Sequence, residues 1–361
     1  MEQVQVAEQI HVSEQAAPAV PALKREPAAA LLTVLFVALV SYVALQQLNA
    51  PAAVSADAPA AEFSSARALK HVGVIAQSPH ALGTAAHAQV RDYILKELGV
   101  LGLSPEVQKS SVVNPSLGMP YSAGAVENIV ARIPGTQSGK AVLFAGHYDS
   151  APLSFGANDN GVAVAAMLET ARAVKAGPPL KNHIILLFTV GGEAGLLGAR
   201  AFVKEHPWAK DAGLVFNFDA RGNSGPSIMF ETSEQNGGLV SEFARAVPDP
   251  VTTSAAFEVY RLMPNNTDFT EFRRAGLAGL NFAYINGLTH YHSPLDTVAN
   301  VDERSLQHHG SNALALARHF GGGGDGSVGK ESNAVYFNPF GSTLKYAGAW
   351  VLPLAGLAAE L

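Results

Sequence analysis

The sequence AVLFAGHYDSAPLSFGANDNGVA, residues 141–163, decides the fold of this chain. Residues 141–145 are an uninterrupted apolar run, which is typical of a buried strand. A polar loop with glycines follows, and residues 162–174 have the pattern of a helix. In an open α/β sheet, functional groups lie beyond the carboxyl ends of the strands, and both His147 and Asp159 fall there. We therefore predict an α/β fold with its functional site at this edge of the sheet.

His147 and Asp159 have the chemistry of metal ligands, because a neutral imidazole and a carboxylate both bind divalent cations. Asp149, two residues after His147, is placed to accept the second ring N–H of the imidazole. A His-X-Asp pair is weak evidence by itself, since a surface histidine and a helix-capping aspartate explain most such pairs. The metal hypothesis therefore depends on further ligands elsewhere in the chain.

The composition bounds the class of protein. A chain of 361 residues is long enough for one large α/β domain or two ordinary domains. Hydrophobic residues make up 48% and charged residues 15%, which allows a sizeable core and excludes wholesale disorder. The net charge of −6 argues against a nucleic-acid partner. With no cysteine, the chain forms neither disulfides nor thiolate metal sites.

The N-terminal part predicts a membrane anchor. Residues 1–26 are polar and rich in Ala and Pro, which is typical of a disordered tail. Residues 27–46 carry no charge and match the thickness of a bilayer in length, although a buried soluble helix is the alternative. Lys24 and Arg25 directly precede this run, which favours a cytoplasmic N-terminus. We expect a membrane protein, single-pass or more, with lipid around this segment and its main domain on the extracytoplasmic (periplasmic or lumenal) side.

The remaining chain divides by composition. Residues 47–62 are an Ala- and Pro-rich linker, and residues 63–320 form the predicted globular domain. Residues 321–334 are a Gly-rich linker. Residues 335–361 are an apolar tail, which we interpret as the start of a second membrane segment or, alternatively, as an amphipathic tail. The sequence does not indicate an oligomeric state.

Strands alternate with helices through the globular domain. Further strands are predicted at 126–133, 183–190, 213–218, 227–230 and 279–284. Further helices are predicted from 64 onwards, at 84–103, through 196–202, and at 234–247 and 303–320. This alternation predicts a three-layer α/β/α domain with a largely parallel mixed sheet, preceded by one transmembrane helix.

Five candidate metal ligands fall at the predicted strand ends or in the adjoining loops: His147, Asp159, Glu193, Asp219 and His292. Two imidazoles and three carboxylates, with no thiolate, suit a pair of zinc ions that keep open coordination positions. One of the carboxylates would have to bridge the two metals. Asp296, four residues after His292, repeats the pairing of a histidine with a second carboxylate, so we expect it to orient that ring.

Five segments resemble, in the same order, the motifs of the co-catalytic di-zinc aminopeptidase and carboxypeptidase family, peptidase family M28. They are HYDS at 147–150, GANDNG at 156–161, EAGLLG at 193–198, NFDARG at 217–222 and YHSPLD at 291–296. Each motif alone is permissive, but five in order are specific. The predicted anchor makes the chain similar to the membrane-anchored branch, which includes the vacuolar and endoplasmic reticulum membrane proteases. The resemblance implies a zinc exopeptidase-like fold over residues 66–320.

The resemblance also implies a role for each ligand. Asp159 would bridge two zinc ions, His147 and Asp219 would complete one site, and Glu193 and His292 would complete the other.

Two further residues receive roles from the resemblance. Asp149 would orient His147, and Tyr291 would stabilise the tetrahedral transition state. The implied reaction is hydrolysis of a peptide substrate by a metal-activated water, as in an aminopeptidase.

One position departs from the family pattern. The family has two adjacent acidic residues before its Gly-Leu-X-Gly turn, of which the first is the general base. Glu193 falls at the second position, and the general-base position is Gly192. A positioned general base contributes about 10²–10⁴-fold to a rate, and glycine cannot transfer a proton.

Three functions therefore stay open. The first is a zinc metallopeptidase that is impaired at its base, and the second is a catalytically inactive pseudopeptidase that retains the fold for binding a peptide or partner. The third is acyl transfer with a single zinc, as in glutaminyl cyclases.

Several other residues carry less weight. Asp268 is expected near the substrate cleft or at a helix cap, and Arg221 and Asn223 are expected to contact substrate or to hold a loop. Other histidines are predicted to lie on the surface: His80, His87 and His206.

Overall fold

The computed structural model describes residues 27–46, 49–115, 121–323, 330–338 and 343–347. Helix α1, Pro27–Gln46, is uncharged, and all but one of its residues are exposed. Among the described residues it is the one helix that is long and apolar enough to cross a membrane, by length and composition. The predicted tail over 1–26 lies outside the described residues.

A seven-stranded mixed sheet forms the middle of the domain. Its strands are β1 Glu106–Asn114, β2 Ser122–Ile133, β3 Ala141–His147, β4 Ile184–Thr189, β5 Ala212–Ala220, β6 Ile228–Thr232 and β7 Ala278–Tyr284. The spatial order is β1-β2-β4-β3-β5-β7-β6. The four strands β4, β3, β5 and β7 are parallel to one another. On either side, β2 is antiparallel to β4 and β6 is antiparallel to β7, and the edge strand β1 is antiparallel to β2. The carboxyl ends of the four parallel strands consequently meet at one edge.

Helices cover both faces of this sheet. They are α2 Ser65–Ile75, α3 Ala85–Val100, α4 Ala163–Lys175, α5 Leu197–Glu205, α6 Gly237–Ala246, α7 Ser254–Arg261, α8 Phe269–Arg274 and α9 Glu303–Gly321. Strand β3 shows the layering, because Val142 and Phe144 belong to one buried cluster whereas Leu143 and Ala145 belong to a second cluster on the other face. Since both faces are covered, β3 is buried along its whole length. The predicted three-layer mixed sheet is confirmed.

The helix starts follow from the capping residues in the sequence. The Ser64 hydroxyl accepts a hydrogen bond from the Arg67 amide at 3.2 Å, and Thr84 accepts one from the His87 amide at 3.1 Å. The two caps coincide with the predicted starts of these helices, at 64 and 84.

Three elements of the sheet domain were not predicted from the sequence. β1 is an edge strand with a mostly polar sequence, and α7 and α8 have only eight and six residues, too few for a clear apolar period. After α9, strands β8 Ala334–Phe337 and β9 Leu344–Ala347 form an antiparallel pair. This pair begins at the last residue of the predicted Gly-rich linker and continues into the predicted apolar tail, residues 335–361. Residues 348–361 of that tail lie outside the described residues.

Arginine side chains hold the described part of the predicted linker, residues 49–62, against the domain. The Arg67 guanidinium donates to the carbonyls of Ala56 and Ala58, and Arg172 donates to that of Ala60. Both guanidinium groups also pair with the buried carboxylate of Glu169, at 2.8 and 2.6 Å. A single buried carboxylate on α4 thus orients two arginines toward this segment.

Replacing Glu169 by Ala leaves two partly buried guanidinium groups without their carboxylate. We expect the free energy of unfolding to fall by about 2–4 kcal/mol, because breaking a buried ion pair leaves an uncompensated charge. Urea denaturation of the full chain in detergent, followed by tryptophan fluorescence, measures this loss.

Glu242→Ala is the matched control. Glu242 pairs with Arg245 and His319 in more exposed surroundings, so its loss should cost at most about 1 kcal/mol. Equal losses for the two variants would contradict the role given to Glu169.

Candidate metal centre

The five predicted ligands lie together at the carboxyl edge of the four parallel strands. His147 is the last residue of β3, and Asp219 is the penultimate residue of β5. Asp159 lies at a kink in the turn Ala157–Val162 that leads into α4, with a non-helical backbone, and its peptide bond to Asn160 is cis. Glu193 follows β4, and His292 lies in the loop after β7. The sheet order explains the grouping, because β3 lies between β4 and β5.

Asp159 lies between the two imidazoles. Its Oδ1 is 3.3 Å from Nε2 of His147, and its Oδ2 is 3.1 Å from Nε2 of His292. Asp219 Oδ1 is 3.8 Å from His147 Nε2, and the Glu193 carboxylate is 3.0 Å from His292 Nε2. The cluster therefore consists of two groups of three residues that share Asp159.

The carboxylates of the cluster favour the binding of positive charge, as the raised pKa values of its histidines and of Glu193 indicate. Burial disfavours a charged His147, but hydrogen bonds with Asp149 and Asp159 raise its pKa well above the usual value. Burial likewise opposes a charged His292, but Asp159 and Glu193 raise its pKa to about 10. Burial and the charge of Asp159 raise the pKa of Glu193 to about 7. Three carboxylates thus face two imidazoles in a cluster that is buried at its centre, at His147 and Asp159, and more exposed at His292.

A divalent cation fits this donor set. One donor atom each from His147, Asp159 and Glu193 lie within 4.8 Å of one another. Asp159 Oδ2 is buried and, apart from its 3.1 Å approach to His292 Nε2, has no hydrogen-bond donor among the described residues. A cation would compete with the protons that these groups otherwise hold, as metal binding at His and carboxylate sites releases protons.

Asp149 supports the turn that carries Glu193. Its buried carboxylate accepts hydrogen bonds from the backbone amides of Gly191, Gly192 and Glu193, at 2.9, 3.2 and 3.3 Å. Nδ1 of His147 lies 2.9 Å from the backbone carbonyl of Asp149 and 3.5 Å from its carboxylate. Asp149 thus contacts His147 mainly through its backbone and the next strand end through its side chain.

Asp296 holds the turn of Asp159, and the expectation that it orients His292 is wrong. Its Oδ1 accepts from the backbone and side-chain amides of Asn158, both at 2.8 Å, and its Oδ2 accepts from the Asp159 amide at 3.1 Å. The side-chain oxygen of Asn158 accepts in turn from the Tyr284 hydroxyl. The spacing in sequence pointed to His292, which is four residues from Asp296. In the structure Asp296 instead binds the turn that carries Asp159.

Gly192 packs directly against the ring of His147. A Cβ atom at position 192 would lie 2.8 Å from Cγ of His147, closer than side-chain atoms approach. The preceding Gly191 has φ of +75°, which side chains rarely adopt. The two glycines therefore allow the turn after β4 to approach the imidazole closely. An acidic residue at position 192 would not fit unless the His147 ring moved.

Asp268 lies near the cluster as a buried carboxylate with an unused oxygen. It occupies the N-cap position of α8 but makes no capping hydrogen bond, so the capping alternative is wrong. Its Oδ2 accepts from the Thr189 hydroxyl, and its Oδ1 has no hydrogen-bond partner among the described residues. Burial raises the pKa of Asp268 to about 6, against the opposing charge of His147. No local pattern in the sequence signals this contact across the sheet.

An aromatic stack extends from the cluster to an arginine. The Tyr291 ring lies 3.7 Å from the His292 ring, and Cζ of Arg221 lies 5.6 Å from the centre of the Tyr291 ring. Burial raises the pKa of the Tyr291 hydroxyl above its usual value, so this group stays protonated near neutral pH. Asn223 holds the loop, because its side chain donates to the Asn300 carbonyl at 2.8 Å.

Three histidines that were predicted on the surface are buried, so that prediction is wrong: His80, His87 and His206. His87 stacks on Tyr148 at 4.6 Å, and burial lowers its pKa to about 4. His206 pairs with Glu106 at 2.7 Å. Apolar periodicity does not reveal a polar ring that packs on an aromatic neighbour.

A three-layer α/β domain with a His and carboxylate cluster at one strand edge has the fold of the zinc exopeptidases. The sequence model of peptidase family M28 matches residues 128–317, and the chain belongs to that family.

The curated relatives of this chain include proteases named for the vacuolar membrane and the endoplasmic reticulum. The chain is 33% identical over 243 residues to the vacuolar membrane protease of Candida albicans strain SC5314, covering 66% of this chain and 28% of the relative. It is 32% identical over 199 residues to endoplasmic reticulum metallopeptidase 1 of Mus musculus, covering 54% and 22%. The chain thus spans under a third of the length of these relatives. The predicted family and its membrane-protease branch are confirmed.

Solved structures confirm the predicted fold. The zinc aminopeptidase BSAP from Bacillus subtilis has a TM-score of 0.57 at 16% identity, covering 72% of this chain and 95% of that chain. A glutaminyl cyclase from Porphyromonas gingivalis has a TM-score of 0.58 at 18% identity, covering 71% and 99%. At these identities the similarity shows a shared fold and no more.

Replacing Gly192 by Ala should displace the His147 ring, because the new Cβ would overlap it. We expect the zinc affinity of the full chain to fall by about 10-fold, the lower range for changes next to a metal ligand. Competition with a fluorescent chelator measures the affinity.

Gly99→Ala, in α3, is the control, because its added Cβ meets no atom within 4 Å. An unchanged zinc affinity in Gly192→Ala would mean that His147 does not hold the metal in its observed position.

Proposed function

We propose that this chain is a membrane-anchored zinc metallopeptidase that removes N-terminal residues from peptides. The observation that carries the proposal is the position of Asp159, with one oxygen toward His147 and the other toward His292. A carboxylate in this position can bridge two cations. Membership of peptidase family M28 supports the same reaction class.

Two zinc ions per chain follow from the two groups that share Asp159. His147 and Asp219 would hold one ion with Asp159, and Glu193 and His292 would hold the other. Zinc supplies two effects when bound, a lower pKa for a water molecule and polarisation of the scissile carbonyl. Asp149 and Asp296 act as positioning residues, since their hydrogen bonds fix the turns of Glu193 and Asp159.

Asp268 is our candidate for the proton acceptor in place of the missing residue at Gly192. Its carboxylate binds Thr189, which is in register with His147 on the neighbouring parallel strand. Registered neighbours point to the same face of a sheet, so Asp268 lies on the His147 side. Its free oxygen and a pKa of about 6 suit a group that takes a proton near neutral pH.

Tyr291 is our candidate donor to the tetrahedral transition state. Its hydroxyl stays protonated because burial raises the pKa, and its ring is stacked on that of His292. A protonated hydroxyl beside the reacting carbonyl stabilises the negative charge that develops on oxygen.

A catalytically inactive pseudopeptidase is the second candidate. The observation that favours it is the close packing of Gly192 on His147, because an acidic side chain at 192 would require the imidazole to move. In that case the fold and its metals would serve to bind a peptide or a partner. Single-zinc acyl transfer is the third candidate, and metal stoichiometry separates it from the other two.

We also propose that the peptidase domain, residues 63–320, lies on the extracytoplasmic side of a membrane. The exposed apolar helix α1 and the Lys24–Arg25 pair before it support this orientation. Residues 27–46 would then contact membrane lipid.

Metal content and hydrolysis of a panel of aminoacyl amides test the proposal on the full chain. We expect about two zinc ions per chain and turnover that a chelator abolishes. Asp268→Asn should lower kcat by about 10²–10⁴-fold with unchanged metal content, because it removes the proton acceptor and keeps the shape. Gly192→Glu should lose zinc rather than gain activity, since its side chain meets the His147 ring.

Each alternative has its own result. Two zinc ions without turnover in the parent would favour the pseudopeptidase, and one zinc ion would favour acyl transfer. Failure to bind metal would overturn the ligand assignment. Higher activity in Gly192→Glu would show that the base is missing and that Asp268 does not replace it.

A further inference from the structure

An apolar cavity of about 440 Å³ adjoins the metal cluster. Asp219 and Tyr291 form the side nearest the cluster, and helix α7 forms part of the far wall. The wall is largely made of apolar side chains, including Phe230, Val259 and Met263. A cavity of this size accommodates one large side chain together with part of the attached backbone.

Arg221 lines this cavity and is exceptional among the arginines. Every other described arginine donates to a carboxylate or to a backbone carbonyl: Arg67, Arg91, Arg132, Arg172, Arg200, Arg245, Arg261, Arg273, Arg274, Arg304 and Arg318. The Arg221 guanidinium has no oxygen acceptor among the described residues. Its Nη1 lies 3.8 Å from the Met263 sulfur, a weak acceptor, and its Nε is buried without a partner.

The position of this guanidinium is tied to the cluster. It lies over the Tyr291 ring, and that ring is itself stacked on the ring of His292, a candidate zinc ligand. The acidic residue lining the cavity is Asp219, which we assign to the metal. Because Asp219, Tyr291 and Arg221 all line this one cavity, a peptide whose scissile bond lies at the cluster can extend its next residue toward the guanidinium.

We propose that Arg221 binds the free C-terminal carboxylate of a short peptide whose last, apolar side chain fills this cavity. A guanidinium pairs with a carboxylate through two parallel hydrogen bonds, which no other group lining the cavity offers. An acidic side chain fits less well, because it would have to enter the apolar walls. This inference rests on the proposed exopeptidase function and narrows it to short peptides that end in an apolar residue.

Isothermal titration calorimetry on the zinc-loaded full chain in detergent tests the proposal with N-acetyl-L-leucine and N-acetyl-L-leucinamide. The two probes share the side chain and differ in the carboxylate. We expect the acid to bind at least about 10-fold more tightly than the amide. In Arg221→Met, which keeps an unbranched apolar stem and removes the guanidinium, this ratio should fall below about twofold.

Arg261→Met is the matched control, because Arg261 is an exposed residue of α7 that pairs with Glu258 outside the cavity. It should keep the ratio of the parent, and the melting temperatures of both variants should be equal to that of the parent. A ratio that persists in Arg221→Met would place the carboxylate on zinc and overturn the proposal. The absence of a preference in the parent would also overturn it.

A third probe distinguishes the two sources of a carboxylate. N-acetyl-L-glutamic acid α-amide carries its carboxylate on the side chain, and it should bind no better than the leucinamide. Binding as tight as that of N-acetyl-L-leucine would overturn the assignment to the C-terminus.

Hydrolysis of Ala-Leu and of Ala-leucinamide separates this inference from the proposed function. With Arg221→Met we expect KM to rise about 10-fold for Ala-Leu alone, with kcat unchanged, because the guanidinium binds the ground state and the transition state equally. If neither compound is hydrolysed while the calorimetric ratio behaves as expected, Arg221 still binds the carboxylate and the proposed peptidase activity is wrong.

Discussion

The position of Asp159 between two imidazoles is the constraint on which the rest of the site depends. The two rings that Asp159 faces come from distant parts of the chain, and the sheet order brings them together. β3 brings His147, and its neighbours β4 and β5 bring Glu193 and Asp219 to either side. β7 follows β5 and leads to His292. The parallel direction of these four strands is therefore what converts distant residues into one cluster.

Burying a carboxylate costs free energy, and the buried carboxylates of this domain differ in how far hydrogen bonds compensate that cost. Asp149 and Asp296 are satisfied by backbone amides, which fix the turns that carry Glu193 and Asp159. Asp159 Oδ2 lacks such a donor. The fully compensated carboxylates Asp149 and Asp296 thus serve as supports, whereas two carboxylates with an oxygen lacking an amide donor, Asp159 and Asp268, lie in the cluster and beside it. This division agrees with a cation at the cluster, since a purely structural carboxylate would be expected to find amide donors.

The sequence predicted the edge of the sheet at which the ligands meet, because apolar strands followed by His or carboxylate residues are a local pattern. It did not predict contacts that form across elements. Asp296 binds the turn of Asp159 rather than its neighbour His292, and Asp268 binds Thr189 rather than capping α8. The short helix α7, which forms part of the wall of the apolar cavity, has too few residues for a clear period. The walls of the site were therefore less predictable than its ligands, because they depend on contacts between distant parts of the chain.

Two uncompensated charges of opposite sign lie on the same side of the sheet edge. The cluster has more carboxylate than imidazole, and Arg221 has no oxygen acceptor among the described residues although Asp219 is two residues away. Direct pairing of Arg221 with Asp219 would neutralise both charges and would be the expected outcome if their role were stability alone. Instead the guanidinium is turned onto the Tyr291 ring, and Asp219 is turned toward His147. The guanidinium is thus left without an oxygen acceptor among the described residues, which keeps it available to a carboxylate that is not part of the chain.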